Sequence, residues 1–273
     1  MDVIALQSGS NGNSYYVEVG GLRLLIDAGI SGGAAIQRLQ QYGRDPRKAD
    51  ALLITHDHVD HTRCMGVFHR KFRVPVHVTK STYAAASRTG KLGRIDDLKF
   101  FDPGDVLRFN KGQGEVIVST IATPHDAVEG VAFVIEHDHK RLGILTDLGH
   151  AFDGLRDVLL SLDAVILESN YDPEMLRNGR YPLGLQRRIR GPGGHLSNFE
   201  AAELLSRVTL FGRLRWACLC HLSQDNNTPQ IAMETHRKLL GRQFPLYISS
   251  RTAATPVLSL ADNFSQNAIP PMP

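Results

Sequence analysis

Apolar residues recur along this chain in short runs broken by polar turns, and the length and period of each run separate strands from helices. Residues 2–7 and 14–26 read as three strands, with Ser8-Gly9-Ser10-Asn11-Gly12-Asn13-Ser14 as a polar turn between the first two. That turn suits a hairpin loop or a backbone cradle for an anion, and its composition does not separate the two. Residues 31–42 have helical spacing at Ile36, Leu39 and Tyr42, with Ser31 as a cap and Gly43 as a stop. Leu52-Leu53-Ile54-Thr55 predicts a short buried strand. After it the pattern predicts a helix over 65–72, a strand over 74–78 and a helix over 81–87. Strands follow over 99–101, 115–122 and 131–135, and apolar runs at 142–145, 164–167, 216–220 and 245–249 continue the series. Thr228-Pro229-Gln230 opens a last helix through Leu240, with proline at its first position.

Composition narrows this picture only a little. A chain of 273 residues with 42% hydrophobic content can bury the core of one large α/β domain. The formal net charge of +3 calls for any nucleic-acid surface to be a local patch. Cys64, Cys218 and Cys220 leave one thiol over in any pairing, and the first residues lack the charged and apolar stretches of a secretion signal. A cytoplasmic protein with reduced thiols and no membrane segment is expected, and the sequence points to no obligate protein partner. From about Ala253 the chain is polar, and it ends in Ile269-Pro270-Pro271-Met272-Pro273. A catalytic domain over 1–252 and a tail over 253–273, poorly ordered at its end, are therefore expected.

The chemistry gathers where strands end, which is where α/β sheets place ligands. After Thr55, the turn His56-Asp57-His58-Val59-Asp60-His61 packs three histidines and two aspartates into six residues. His56 and His58 can point to one side while Asp60 and His61 reach a neighbouring point, so one loop can serve two adjacent metal ions. Without a cation these side chains repel or go unpaired. Further polar residues follow later apolar runs: His125-Asp126, Thr146-Asp147, Glu168-Ser169-Asn170-Tyr171-Asp172 and His221. Arg177, Arg180, Arg187, Arg188 and Arg190 then crowd a segment without lysine. Guanidinium forks grip phosphates, so the segment reads as a phosphate-binding face or as a solvated helix surface. Gly191-Pro192-Gly193-Gly194 launches a helix that His195, Ser197 or Asn198 could cap. His137, His139 and His150 read as surface or turn residues, and His69 and His77 as structural.

The turn His-x-His-x-Asp-His with Thr55 before it resembles the signature of the metallo-β-lactamase superfamily, and the resemblance covers most of the chain. It implies a four-layer αβ/βα sandwich of two mixed sheets flanked by helices. It also implies that His56, His58 and His125 hold one divalent ion and Asp60, His61 and His221 a second, with Asp147 bridging and Asp27 supporting the loop from behind. The ions would activate a bridging hydroxide for hydrolysis, with Asp60 counted among the catalytic residues. Nitrogen and oxygen donors without thiolate favour zinc or manganese and are compatible with iron or nickel. True β-lactamases commonly place a cysteine where this chain has Asp147, and redox diiron members a glutamate where it has His58.

Within the superfamily, residues 8–14, Thr-Pro-His-Asp-Ala at 123–127, Leu-Glu-Ser-Asn-Tyr-Asp at 167–172, Arg-Asn-Gly-Arg-Tyr-Pro at 177–182, Gly-His-Leu-Ser-Asn at 194–198 and residues 220–227 are similar to the YycJ (WalJ) subfamily. That resemblance implies a DNA exonuclease acting from the 5′ end in DNA repair, although Tyr171 stands where the subfamily has histidine. A more distant similarity to ribonuclease Z rests on Glu168 and His195. In this reading His195 donates a proton to the leaving oxygen, Glu168 orients it, and Ser197 or Asn198 hydrogen-bonds the phosphate alongside Arg177, Arg180, Arg187 and Arg188. The plainer reading has His195 capping the helix and Glu168 pairing with an arginine. A thioester or lactone hydrolase, a ribonuclease and an inactive nucleic-acid-binding module are the competing functions.

Overall fold

A strand covered on both faces must be apolar at nearly every position, and that is how most strands of this chain are written. In the computed structural model, which describes residues 1–112 and 114–261, they form two seven-stranded sheets. The first contains β1 (Asp2–Gln7), β2 (Ser14–Val19), β3 (Leu22–Ile26), β4 (Ala51–Leu53), β5 (Val76–Val78) and β6 (Leu98–Phe100) in chain order. The second contains β7 (Val106–Asn110), β8 (Glu115–Thr123), β9 (Gly130–His137), β10 (Lys140–Leu145), β11 (Ala164–Glu168), β12 (Trp216–Cys220) and β13 (Leu246–Ile248). The last strand, β14 (Leu258–Ser259), returns to the first sheet and pairs antiparallel with β1. Each sheet is mixed. The hairpins β1–β2–β3 and β7–β8–β9–β10 are antiparallel, whereas β3 to β6 and β10 to β13 run parallel.

Helices cover the outer faces. On the first sheet these are α1 (Gly32–Gln40), the one-turn α2 (Val59–Thr62), α3 (Met65–Phe72) and α4 (Lys80–Ser87). The second sheet is followed by α5 (Leu155–Leu160), α6 (Pro173–Asn178), α7 (Leu183–Arg190), α8 (Asn198–Phe211) and α9 (Pro229–Leu240). The strand period of two sorts the side chains into layers. Val3, Ala5 and Leu24 face inward and meet Val116, Phe133 and Ile166 of the opposite sheet. Ile4, Leu6 and Leu25 face outward onto Leu39 of α1 and Phe68 of α3. Val165, Leu167 and Leu219 pack outward against Leu205 of α8 and Ala232 of α9. Burying a leucine, isoleucine or valine stabilises the fold by roughly 1.5–3 kcal/mol, so these three apolar layers supply the main driving force. Cys218 and Cys220 lie in the inter-sheet layer, and all three cysteines are free. No helix among the described residues is long and apolar enough to cross a membrane.

The structure departs from the sequence reading in identifiable places. Strand β7 carries no long apolar run, because it is an edge strand with Val106 exposed, and it escapes a hydrophobic pattern. The central strand β4 ends at Leu53, before Ile54 and Thr55, and β5 begins at Val76 rather than at residue 74. The domain does not stop at residue 252. Thr255 exchanges hydrogen bonds with Ala5, the Trp216 indole donates to the Ser259 carbonyl at 3.0 Å, and Leu258 and Leu260 join the inter-sheet core. The expected poor order at the chain's end falls on residues 262–273, which lie outside the described residues.

Candidate metal centre

Parallel strands that end together bring their following turns together, and both sheets do this at one edge. The turn after β4 carries His56, His58, Asp60 and His61, the last two on the one-turn helix α2. From the other sheet come His125 after β8, Asp147 after β10, Glu168 at the end of β11 and His221 after β12. Their ligand atoms form groups whose members lie within 4.8 Å of one another: His56, His58 and His125; Asp60, His61 and His221; and His56, His61 and Asp147. Asp147 also closes a group with Glu168, His195 and His221. It therefore lies close to members of both histidine groups.

Backbone conformation is part of the assembly. Asp27, Asp147 and His221 have φ of 59°, 52° and 56°, a left-handed region that L-residues enter at a cost of about 1 kcal/mol or more. Each sits just after a parallel strand, where the chain must turn sharply to aim its side chain across the sheet edge.

Hydrogen bonds fix the rings. His61 Nδ1 lies 2.7 Å from Asp27 Oδ2, and Thr55 donates its hydroxyl to the same carboxylate at 2.9 Å while meeting His56 Nδ1 at 3.0 Å. His125 Nδ1 is bonded to the Gly194 carbonyl at 2.8 Å. With their Nδ1 protons engaged in this way, all three rings turn an Nε2 lone pair to the centre. Asn170 Nδ2 donates to the His221 carbonyl at 2.8 Å and lies 3.2 Å from its Nδ1.

These residues fit a cation. His56 Nε2 and Asp147 Oδ2 are buried with no hydrogen-bond partner among the described residues. His58 Nδ1 and His125 Nε2 approach to 3.3 Å, and His61 Nε2 lies 3.3 Å from Asp147 and 3.5 Å from Asp60. Burial disfavours the charged form of His61, yet Asp27, Asp60 and Asp147 raise its pKa well above the usual histidine value. Burial likewise opposes ionisation of Asp60, but His61 and His221 hold its carboxyl at about 2. Carboxylates that collect protons onto their histidine neighbours are a site in which a divalent cation competes with those protons.

A cavity of ≈ 220 Å³ opens over the centre, lined by His58, Asp60, Asp147 and His221 together with Asp126, Tyr181, Arg188 and His195. His195 Nδ1 is 2.6 Å from Glu168 Oε1, and the second oxygen of this fully buried carboxylate accepts the Leu148 amide at 2.9 Å. Burial lowers the His195 pKa, but Glu168, with help from Asp147 and Asp126, raises it to about 9. Arg188 donates to Asp126 Oδ2 at 2.5 Å, and Asp126 Oδ1 lies 3.6 Å from His125 Nε2.

Other expected residues stand elsewhere. Ser197 caps α8 in a reciprocal box with Glu200, and its hydroxyl donates to that carboxylate at 2.6 Å. Asn198 is fully buried between Ser169 and Asn227. Ser197 is thus the helix cap, and neither side chain lines the cavity. Arg177, Arg180 and Arg187 are also absent from the lining, and Arg177 pairs with Glu174 at 2.6 Å across one exposed turn of α6. The arginine segment is thus divided, with Arg188 at the cavity wall, its side chain 60% exposed, and Arg177 away from the cavity. Tyr171 is buried and forms a bridge with Ser197 that brings the turn after β11 alongside residue 195. Asp126 and Asn170 were not foreseen as site residues, although both lie in polar clusters at strand ends.

The family model of the Metallo-beta-lactamase superfamily matches residues 8–193. The chain belongs to this superfamily. It is 34% identical over 264 residues to "Exodeoxyribonuclease WalJ" of Streptococcus pneumoniae, covering 93% of this chain and 96% of that protein. It is 36% identical over 229 residues to "Exodeoxyribonuclease YycJ" of Bacillus anthracis, covering 83% and 84% of the two chains. The crystal structure of the metallo-beta-lactamase fold protein YhfI from Bacillus subtilis superposes with a TM-score of 0.70 at 16% identity, covering 93% of this chain and 98% of that one. That likeness confirms the superfamily fold, with its two mixed sheets flanked by helices.

Proposed function

We propose that this protein is a dinuclear metal-dependent exonuclease that degrades DNA from the 5′ end in the cytoplasm. The observation that carries the reading is one cavity in which the His195–Glu168 pair and Arg188 stand around a histidine and aspartate cluster able to hold two cations. The names of the WalJ and YycJ relatives support DNA as the substrate.

In this reading His56, His58 and His125 hold one ion, Asp60, His61 and His221 the other, and Asp147 lies between them. Zinc or manganese bound there would lower the pKa of a water molecule and neutralise phosphate charge. The chain's own residues do the rest. Asp27 and Thr55 hold the rings of His61 and His56 in the orientation that presents Nε2. Arg188, held by Asp126 at the cavity wall, meets a phosphate oxygen. His195 has Nδ1 committed to Glu168, so Nε2 is the nitrogen left to give a proton to the departing oxygen.

The test is digestion of end-labelled single- and double-stranded DNA and RNA with zinc or manganese, alongside a lactone and a thioester. Release of nucleotides from the 5′ end of DNA is expected. Activity that survives complete chelation, or a preference for the lactone or thioester, refutes the proposal.

A further inference from the structure

The turn between β1 and β2 is a hairpin loop, as its composition suggested, and two of its buried side chains turn toward the metal centre. Asn13 is fully buried, and its Oδ1 accepts the Gly9 amide at 2.8 Å and the Ser8 hydroxyl at 3.1 Å. That fixes the carboxamide so that Nδ2 donates to the Gly9 carbonyl at 3.1 Å and reaches beyond the loop to Asp60 Oδ2 at 3.1 Å and His61 Nε2 at 2.9 Å. Because His61 Nδ1 is committed to Asp27, its Nε2 is the atom that faces a cation. One Nδ2 proton then goes to the Gly9 carbonyl and the other to Asp60 Oδ2, the oxygen that also lies 3.5 Å from His61 Nε2 and 3.4 Å from His221 Nε2. Backbone contacts lock this approach: the Asn13 amide donates to the Asp60 carbonyl, and the Gly29 amide to the Asn13 carbonyl, both at 2.8 Å. A Cβ at Gly29 would come within 1.6 Å of the Asp60 carbonyl oxygen, so only glycine admits the two loops this close.

Ser8 acts on the third member of the same group. Its hydroxyl oxygen accepts the His221 amide at 2.8 Å, and this buried bond holds the residue in its left-handed conformation. Ser8 leaves the first sheet and His221 the second, so the Ser8–Asn13 pair ties together ligands that the two sheets bring separately. No hydrogen bond from either residue reaches His56, His58 or His125 among the described residues.

We propose that Ser8 and Asn13 are positioning residues for the Asp60–His61–His221 site alone, setting its cation affinity while leaving the His56–His58–His125 site as it is. The proposal rests on the two-ion reading above. Outer partners of metal ligands typically change affinity by about 10–100-fold, which sets the size of the expected effect.

The experiment is zinc binding to the full metal-free chain, measured by competition with a chromophoric chelator, in two backgrounds that each retain one site. In His58→Ala, adding Asn13→Ala or Ser8→Ala should weaken the remaining ion by about 10–100-fold. In His221→Ala the same additions should change nothing. Asn11→Ala, whose side chain donates to the Arg251 carbonyl at 2.9 Å, should be silent in both. Equal losses in both backgrounds, or none in either, overturn the proposal, because a merely structural turn would not discriminate between sites. If Asn13→Ala fails to fold, Ser8→Ala carries the comparison. Wild-type protein that binds a single ion overturns the two-ion reading itself and this proposal with it.

Discussion

The two sheets furnish the centre in opposite ways. The first contributes His56, His58, Asp60 and His61 from one turn, whose geometry is set by neighbours such as the His61 amide donating to the His58 carbonyl at 3.0 Å. The second contributes His125, Asp147, Glu168 and His221 one at a time, from the ends of four strands. Local bonds shape the first group, so a change there should remain local. The second depends on strand register and on disfavoured backbone at Asp147 and His221, and within it a change at Asp147, which lies close to ligands of both histidine groups, should reach furthest.

Asp147 gives that contrast its sharpest test. Asp147→Ala should release both ions and lower nuclease activity by about a thousandfold or more, since several kcal/mol of charge stabilisation go with them. His58→Ala should lose one ion and keep the other. Elemental analysis of the two purified variants beside their rates decides it, and loss of both ions from His58→Ala would erase the distinction between the groups. His195→Ala should reduce the rate on DNA by about a hundredfold with both ions retained, and recover on a nitrophenyl phosphodiester whose leaving group needs no proton. Equal losses on the two substrates would show that His195 is not the acid.

Arg188 and Arg187 are adjacent in sequence but differ in placement, because only Arg188 lines the cavity. Arg188→Ala should reduce the slope of log affinity against log salt by about 1, and Arg187→Ala should leave it unchanged. Equal slopes in the two variants would return the whole segment to the solvated surface.

The same contrast explains what was legible in the sequence. Four candidate ligands within six residues form a pattern that chemistry alone singles out, and the strand and helix periods pointed to an α/β chain, whereas the four-layer sandwich came from the family resemblance. His125, Asp147 and His221 became ligands only by resemblance, since nothing local distinguishes them from His137 or His150. The helix start at residues 195–198 was legible as a cap, but composition alone left open that Ser197 is the residue that caps it. Asn13 was hidden because its partners lie 47 and 48 residues away.

The smallest expected effect concerns one histidine in each half, outside the cavity lining. Burial lowers the pKa of His77 in β5 and of His236 in α9 to about 4. An unfolded histidine titrates near about 6.5, so the unfolded chain takes up these protons first and the folded state loses stability as pH falls from 6.5 toward 4. Above that window both rings are neutral in either state and contribute no pH dependence. His236→Leu and His77→Phe should each flatten this acid limb in denaturant titrations while leaving activity at neutral pH intact. An unchanged limb would mean that the rings stay solvated.

Among the described residues the chain passes between the sheets only from β6 to β7 and from β13 to β14. Each half can therefore complete its own strand pairings before meeting the other, with few distant segments to bring together. The two histidine groups, His56–His58–His125 and Asp60–His61–His221, are complete in neither half alone. Their completion marks the docking of the two sheets, so a spectroscopic metal such as cobalt, added during refolding, would report the docking step as a colour change.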